Sequence, residues 1–336
     1  MFAKITKYLK SVLIFPLKIQ RLISILDNVD SELKKIQTPD KKVTHYGFWN
    51  GEKTVYFHNK KQGNDLIREL LIQPGATMVA RHGHVELVAA AGYDFNNVVP
   101  NMENLHLNAG VFPNNQEIGQ RWAQMYLESL RNLDCLCEWN FRFGRFIEAE
   151  NLFGKYSPHA KIINVLGVLT PFFEENPWTL ALAGKSVLII HPFKKSIENQ
   201  YPKRDRIFHK KEILPEFKSL QVIPAVQTIA GNKDDRFDTW FDAMAWMCNE
   251  ITQADFDVAL IGAGAYGLPL ASHVKKMGKK AVHVGGALQL LFGIRGSRWE
   301  NDSGYRLGEI LNEHWIKPLP EECPSNAKSI EGGCYW

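Results

Sequence analysis

The chain has 336 residues, 45% of them hydrophobic and 23% charged, with a net charge of +4. That length buries a full core in one large or two small domains, and so mild a positive balance argues against a nucleic-acid partner. Five cysteines make an odd set with no paired framework, which points to reduced thiols in a cytoplasmic setting. Cys135 and Cys137 stand too close for a zinc knuckle and lack a second pair. No stretch reaches the roughly 18 apolar residues that a membrane span needs.

The N-terminal segment mixes Lys4, Lys7 and Lys10 with Phe2, Ile5, Leu9 and the apolar run Val12 to Phe15. No small-residue cleavage site follows, so it does not read as a signal peptide. Ile19, Leu22, Leu26, Val29, Leu33 and Ile36 then recur by three and four, a short heptad seam that the polar stretch Thr38 to Lys42 ends. Residues 1–42 thus form an amphipathic helical segment. It packs on its own domain, lies on an anionic membrane surface through residues 1–36, or pairs with a second copy as a homodimer.

The spacing predicts a helix over 63–72, a strand over 76–80 and a helix over 87–91. A further helix follows over 117–131 and a strand over 162–168. Strands over 184–193 and 221–225, a helix over 237–251 and a strand over 258–261 come next. A helix over 268–277, with Gly278 at its end, and a strand over 281–284 complete the series. Strands alternate with helices, so the expected fold is α/β, a Rossmann-like, mainly parallel sheet with flanking helices over residues 60–300. Residues 301–336 are a loop-rich tail whose aromatic end, Tyr335-Trp336, docks on the body.

Gly262, Gly264 and Gly267 have the G-x-G-x-x-G spacing between a strand and a helix, which lets backbone amides approach a phosphate. A dinucleotide site also wants an acid at the end of the next strand, and here Val284 is followed by Gly285 and Gly286. Three readings stand: tight strand–helix packing, a nucleotide-type ligand, and NAD or FAD. Other strand ends carry polar groups: Arg81, His82, His84 and Glu86; His191 with Lys194; and Gln227. His84 and Glu86, two residues apart in a turn, suit one ligand, either a divalent ion such as manganese or general acid–base work. The plainer alternative has Glu86 capping the next helix. Arg81 and the basic group after His191 would bracket a diphosphate, or simply be solvated. There is no G-x-S-x-G elbow and no P-loop.

Arg81-His-Gly-His-Val-Glu86 followed by Leu260-Ile-Gly-Ala-Gly-Ala-Tyr-Gly-Leu-Pro-Leu-Ala271 resembles the GT-D-fold glycosyltransferase-like proteins of bacterial capsule and surface-polysaccharide gene clusters. So do Ile190-His-Pro-Phe193, Ala225-Val-Gln-Thr228, Leu291-Phe-Gly-Ile294 and Arg298-Trp299, and the resemblance covers about residues 62–300. It implies transfer of a sugar from a nucleotide-sugar donor, a UDP-sugar foremost, to a glycan or lipid-linked acceptor. In the family an Asp-x-Glu pair at the first strand end binds a divalent ion. Here Arg81, Gly83 and Glu86 match, and His84 stands where the aspartate would be. The resemblance casts Glu86 as metal ligand or base and His84 as second ligand, with manganese favoured over magnesium. Arg81 would hold the diphosphate, and Gly262, Gly264, Tyr266 and Gly267 would cradle phosphate or ribose, with His191 and Lys194 beside them. The alternatives are a non-catalytic nucleotide-sugar-binding or assembly protein and an NAD-dependent oxidoreductase.

Overall fold

The structure, a computed structural model, describes residues 46–49, 54–96, 100–138, 152–300, 305–329 and 333–336, all within the unit His45–Trp336. The basic segment and heptad seam of residues 1–42, with the membrane-surface and homodimer expectations, lie outside the described residues. Among the described residues, no helix is long and apolar enough to cross a membrane.

One sheet organises the fold, with strand order β1-β2-β5-β4-β3-β9-β8-β6-β7. Its strands are β1 (Tyr46–Trp49), β2 (Thr54–His58), β3 (Thr77–Arg81), β4 (Cys135–Glu138), β5 (Lys161–Asn164), β6 (Ser186–His191), β7 (Ser219–Pro224), β8 (Val258–Ile261) and β9 (Lys280–His283). β1 is antiparallel to β2, and every other neighbouring pair is parallel. Parallel strands need crossovers on the sheet faces, so β3, β4, β6 and β8 are buried almost throughout. The helices that matter below are α1 (Lys60–Ile72), α2 (His84–Asn96), α3 (Met102–Ala109), α4 (Gln116–Leu130), α5 (Lys194–Gln200), α6 (Trp240–Gln253) and α7 (Gly267–Lys276).

The central strands β3, β4, β8 and β9 feed two cores by the alternation of their side chains. Met78, Ala80, Leu136, Ala259, Ile261 and Ala281 enter a core with Trp122, Tyr126, Trp240 and Leu270. Val79, Cys135, Cys137, Leu260 and Val282 enter the opposite core with Ile67, Trp178, Phe193 and Ile197. The connections β3 to β4, β4 to β5, β7 to β8 and β8 to β9 step toward the β1 edge, and their apolar residues lie on the first face. Those from β2 to β3, β5 to β6 and β6 to β7 step the other way over the second face. One hand of crossover produces this division, because a right-twisted strand packs its return helix back onto the sheet only that way. The α/β expectation is therefore met.

Local chemistry moved several boundaries. α1 starts at Lys60 because Asn59 and Gln62 form a reciprocal capping box. α2 starts at His84, three residues before the apolar run from Leu87, so His84 and Glu86 belong to a helical first turn. The strand expected over 162–168 stops at Asn164, whose side chain accepts from Leu166 N at 2.9 Å and turns the chain into a helical turn, Leu166–Leu169. There Gly167 meets α1 so closely that a Cβ would stand 2.9 Å from Lys60 O. α6 starts at Trp240, behind a capping box of Thr239 and Asp242. Gly278, at φ +81°, turns the chain out of α7.

Two aspartates repeat one device at the amino edge of the sheet. Asp134, just before β4, accepts from Met78 N of β3 at 2.8 Å and pairs with Lys275 Nζ of α7 at 2.7 Å. Asp257, just before β8, accepts from Ser186 N of β6 at 2.8 Å. A charged acceptor of this kind is worth roughly 1.5–3 kcal/mol. Asp134→Ala is expected to lower unfolding stability by about 2–3 kcal/mol in urea titration, and Asp257→Ala by less, because losing Asp134 also removes the ion pair with Lys275, which keeps only its bond to Asn132 O. Equal losses, or none, would refute the role given to the extra ion pair.

Candidate functional site

Ligands bind to open α/β sheets at the carboxyl ends of the strands, where helix starts and turns gather. At the end of β3 the alternation sends Arg81 and His82 to opposite faces. Arg81 donates from Nε (3.0 Å) and one Nη (2.6 Å) to His82 O. Its guanidinium lies against Gly285 just past β9, where a Cβ would stand 2.9 Å from Nη1. Gly285 has φ +74°, and the missing side chain admits the arginine.

His82 turns the other way. In the β3–β4 register Arg81 is opposite Cys137, so His82 falls opposite Glu138. His82 Nε2 and Glu138 Oε2 are 2.6 Å apart, with both residues buried. Beside them the Phe153 ring lies 5.7 Å from the imidazole. Among the described residues, His82 Nδ1 and Tyr126 Oη are buried without a hydrogen-bond partner. Tyr126 comes from α4, where Ile118, Trp122 and Tyr126 repeat every four residues and face the sheet. Burial pushes its hydroxyl pKa well above the ordinary value. The Glu86 charge adds to the rise, Arg81 opposes it and Glu138 adds again, so the hydroxyl lies within the field of all three.

Sequence reasoning named His82 without a role and missed Glu138 and Tyr126. The short run Cys135 to Glu138 carries no pattern that announces a strand, and nothing in the sequence says that it will lie beside β3. Tyr126 reads simply as the apolar face of a helix.

The structure separates His84 from Glu86. They are the first and third residues of α2, and positions two apart on a helix do not share a face. His84 is exposed. The Glu86 carboxyl folds back over Gly83, in the space a Cβ there would take. Among the described residues, no group of three or more His, Cys, Asp or Glu could hold a metal ion. Two divergent donors do not fit a resident divalent ion.

The glycine turn divides in two. A Cβ on Gly262 would come within 2.5 Å of the His191 ring and 2.8 Å of Gly285 O, and one on Gly267 would overlap the His283 ring. These glycines serve packing. Gly264 differs: it has φ +51°, is exposed between buried neighbours, and a Cβ would meet only Ala109 O at 4.0 Å. Tyr266 is buried, stacked on Trp240 at 4.6 Å, with its hydroxyl 3.5 Å from Thr228 Oγ1. Thr228 Oγ1 donates to Gly110 O at 2.6 Å, while the neighbouring Gln227 is partly exposed.

His191 is buried, and its Nδ1 accepts from Phe193 N at 3.0 Å. The ends of β3 and β6 are three strands apart, roughly 14 Å at the usual strand spacing. The basic turn after β6 is paired within the chain. Lys194 Nζ lies 3.8 Å from Glu198 and Lys195 Nζ 3.4 Å from Glu321. Glu322 accepts from Lys195 N at 2.7 Å and from the Ser196 hydroxyl. A cavity of about 300 Å³ bounded by Gln73, Lys185, Asp257 and Gly278 lies at the amino ends of the strands, on the opposite edge from all these groups.

Burial lowers the His191 pKa to about 3 against a backbone hydrogen bond at Gly286. Burial and the Arg81 charge lower that of His283 to about 3, against its bond to Ile261 O. Both folded values lie below the ordinary 6.5, so in acid the unfolded chain binds protons that the folded chain refuses. The stability they contribute is whole above pH 6.5 and is lost as pH falls toward 3, at about 1.4 kcal/mol per pH unit for each histidine. Urea unfolding between pH 7 and 5 is expected to show this fall. His191→Asn, which keeps an acceptor for Phe193 N, should flatten it, and an unchanged slope would exclude His191 as a source. Comparison with protein-family models, curated proteins and solved structures finds no match to this chain.

Proposed function

We propose that the chain is a glycosyltransferase that moves a sugar from a nucleotide-sugar donor, a UDP-sugar foremost, to the hydroxyl of a glycan or lipid-linked acceptor in surface-polysaccharide synthesis. The observation that supports it most is Arg81. Its guanidinium is fixed by two bonds to His82 O and laid against Gly285 at the middle of the parallel sheet's carboxyl edge. A planar cation held in place before a ligand arrives suits a diphosphate. As the bond from the anomeric carbon to the diphosphate breaks, the electron pair leaves with the phosphate oxygen, and Arg81 meets the growing charge. The backbone of the exposed Gly264, one strand beyond β9, is a second polar element a phosphate or ribose would meet.

An oxidoreductase reading has less support. The residue ending β9 is His283, buried and bonded to Ile261 O, where a dinucleotide site would place a carboxylate for the ribose. The basic amphipathic sequence of residues 1–36 suits an enzyme working at the cytoplasmic membrane face on a lipid-linked acceptor.

Calorimetric titration with UDP, GDP, CDP and NAD, each with and without manganese, tests the proposal. One nucleoside diphosphate is expected to bind. Arg81→Gln is expected to weaken it by roughly tenfold or more, the loss of one charge-assisted bond. The manganese arm decides whether a cation travels with the diphosphate. NAD binding alone would overturn the proposal in favour of a dehydrogenase. Diphosphate binding without turnover of any nucleotide sugar would favour a binding or assembly protein.

A further inference from the structure

We propose that His82 is the catalytic base of this site, with its Nδ1 accepting the acceptor hydroxyl, and that Glu138 is its positioning residue. The inference rests on the transferase reading but uses residues that reading does not need. Glu138 Oε2 lies 2.6 Å from His82 Nε2 in a buried cross-strand pair. A carboxylate can only accept, so in the neutral ring Nε2 carries the proton and Nδ1 holds the lone pair. Among the described residues, Nδ1 is buried with no hydrogen-bond partner. A buried imidazole nitrogen left unpaired is costly, and a donor from a bound hydroxyl would satisfy it.

A second group points the same way. Tyr126 Oη is also buried without a partner. It enters the same face of the sheet, since His82 follows Ala80 by two residues and Ala80 shares a core with Tyr126. The imidazole meets Glu138 across the β3–β4 pair and the Phe153 ring, and it acts electrostatically on His283. Glu86 lies over Gly83, and Tyr126 lies in the field of Glu86, Arg81 and Glu138.

The step balances. The acceptor O–H bond breaks and its proton passes to Nδ1. The acceptor oxygen bonds to the anomeric carbon, and the bond to the diphosphate breaks with its electron pair on the departing phosphate oxygen. Glu138 stabilises the resulting imidazolium, which returns its proton to solvent after product leaves.

Two measurements on the full chain test the proposal. Nitrogen-15 spectra of the histidine rings in the wild-type protein should show His82 protonated at Nε2 and bare at Nδ1. A proton on Nδ1 would overturn the assignment whatever the substrate. The second uses UDP-glucose, UDP-galactose and UDP-N-acetylglucosamine with water as acceptor, following UDP release beside calorimetric binding of UDP. His82→Gln should slow release by about 100-fold or more with UDP affinity unchanged. Glu138→Gln should lower kcat with UDP affinity likewise unchanged. Release by His82→Gln at the wild-type rate would remove the base and leave the transferase reading standing. Loss of UDP affinity in His82→Gln would also remove it, by assigning His82 to ground-state binding. If wild type binds none of UDP, GDP and CDP, the transferase reading fails and takes the base with it; if it binds GDP or CDP instead, the same release assay is run on the matching nucleotide sugars.

Discussion

The pleat of β3 governs everything at the carboxyl edge. Successive side chains in a strand point to opposite faces, so Val79 and Ala80 enter two separate cores and Arg81 and His82 part in the same way at the strand end. Parallel neighbours on both sides, β4 and β9, fix the register. Arg81 is thereby delivered to a glycine that has room for it, and His82 to a carboxylate. A slip of one residue would put the guanidinium into the Tyr126 core and the imidazole against Gly285. The burial of Met78, Val79 and Ala80 forbids that slip, because it would invert the packing of the whole strand.

Burying this much polarity in the middle of the molecule has to be offset locally. Glu138 does so for His82 through a direct hydrogen bond, since an ionisable group withdrawn from water is tolerated when it is paired. His191 and His283 follow another route. Each is held neutral, each bonds to backbone, and each fills the hollow left by a glycine. The buried histidines of this edge thus differ in kind: two are packing elements, and one is a polar pair whose second nitrogen has no partner among the described residues.

What the sequence made legible follows from what is local. Val258 to Ile261 is an unbroken apolar run bounded by turn residues, and it forms a strand over those residues. The start of α2 was misplaced because its first turn is polar and its apolar face begins only at Leu87. The strand after Lys161 was overlong in the sequence reading because apolar residues continue past Asn164, and only a side-chain bond to Leu166 N ends it. Glu138 was invisible for a different reason. Its importance comes from standing opposite His82, and that depends on strand order, which no local pattern encodes. Arg81 and Glu86 could be named from the sequence, but the separation of His84 from Glu86 could not, because it turned on whether they sat in a loop or in a helix.

The division of labour within the glycine turn reaches beyond this one chain. Gly262 and Gly267 are kept small from beneath, by histidine rings that belong to the scaffold. Gly264 alone looks outward. Mutational drift can therefore rework what approaches Gly264 while the spacing of the outer two glycines stays put. Descendants of such a chain could carry the same fingerprint and recognise unlike small molecules. A fingerprint of this sort is a record of ancestry and packing before it is a record of ligand.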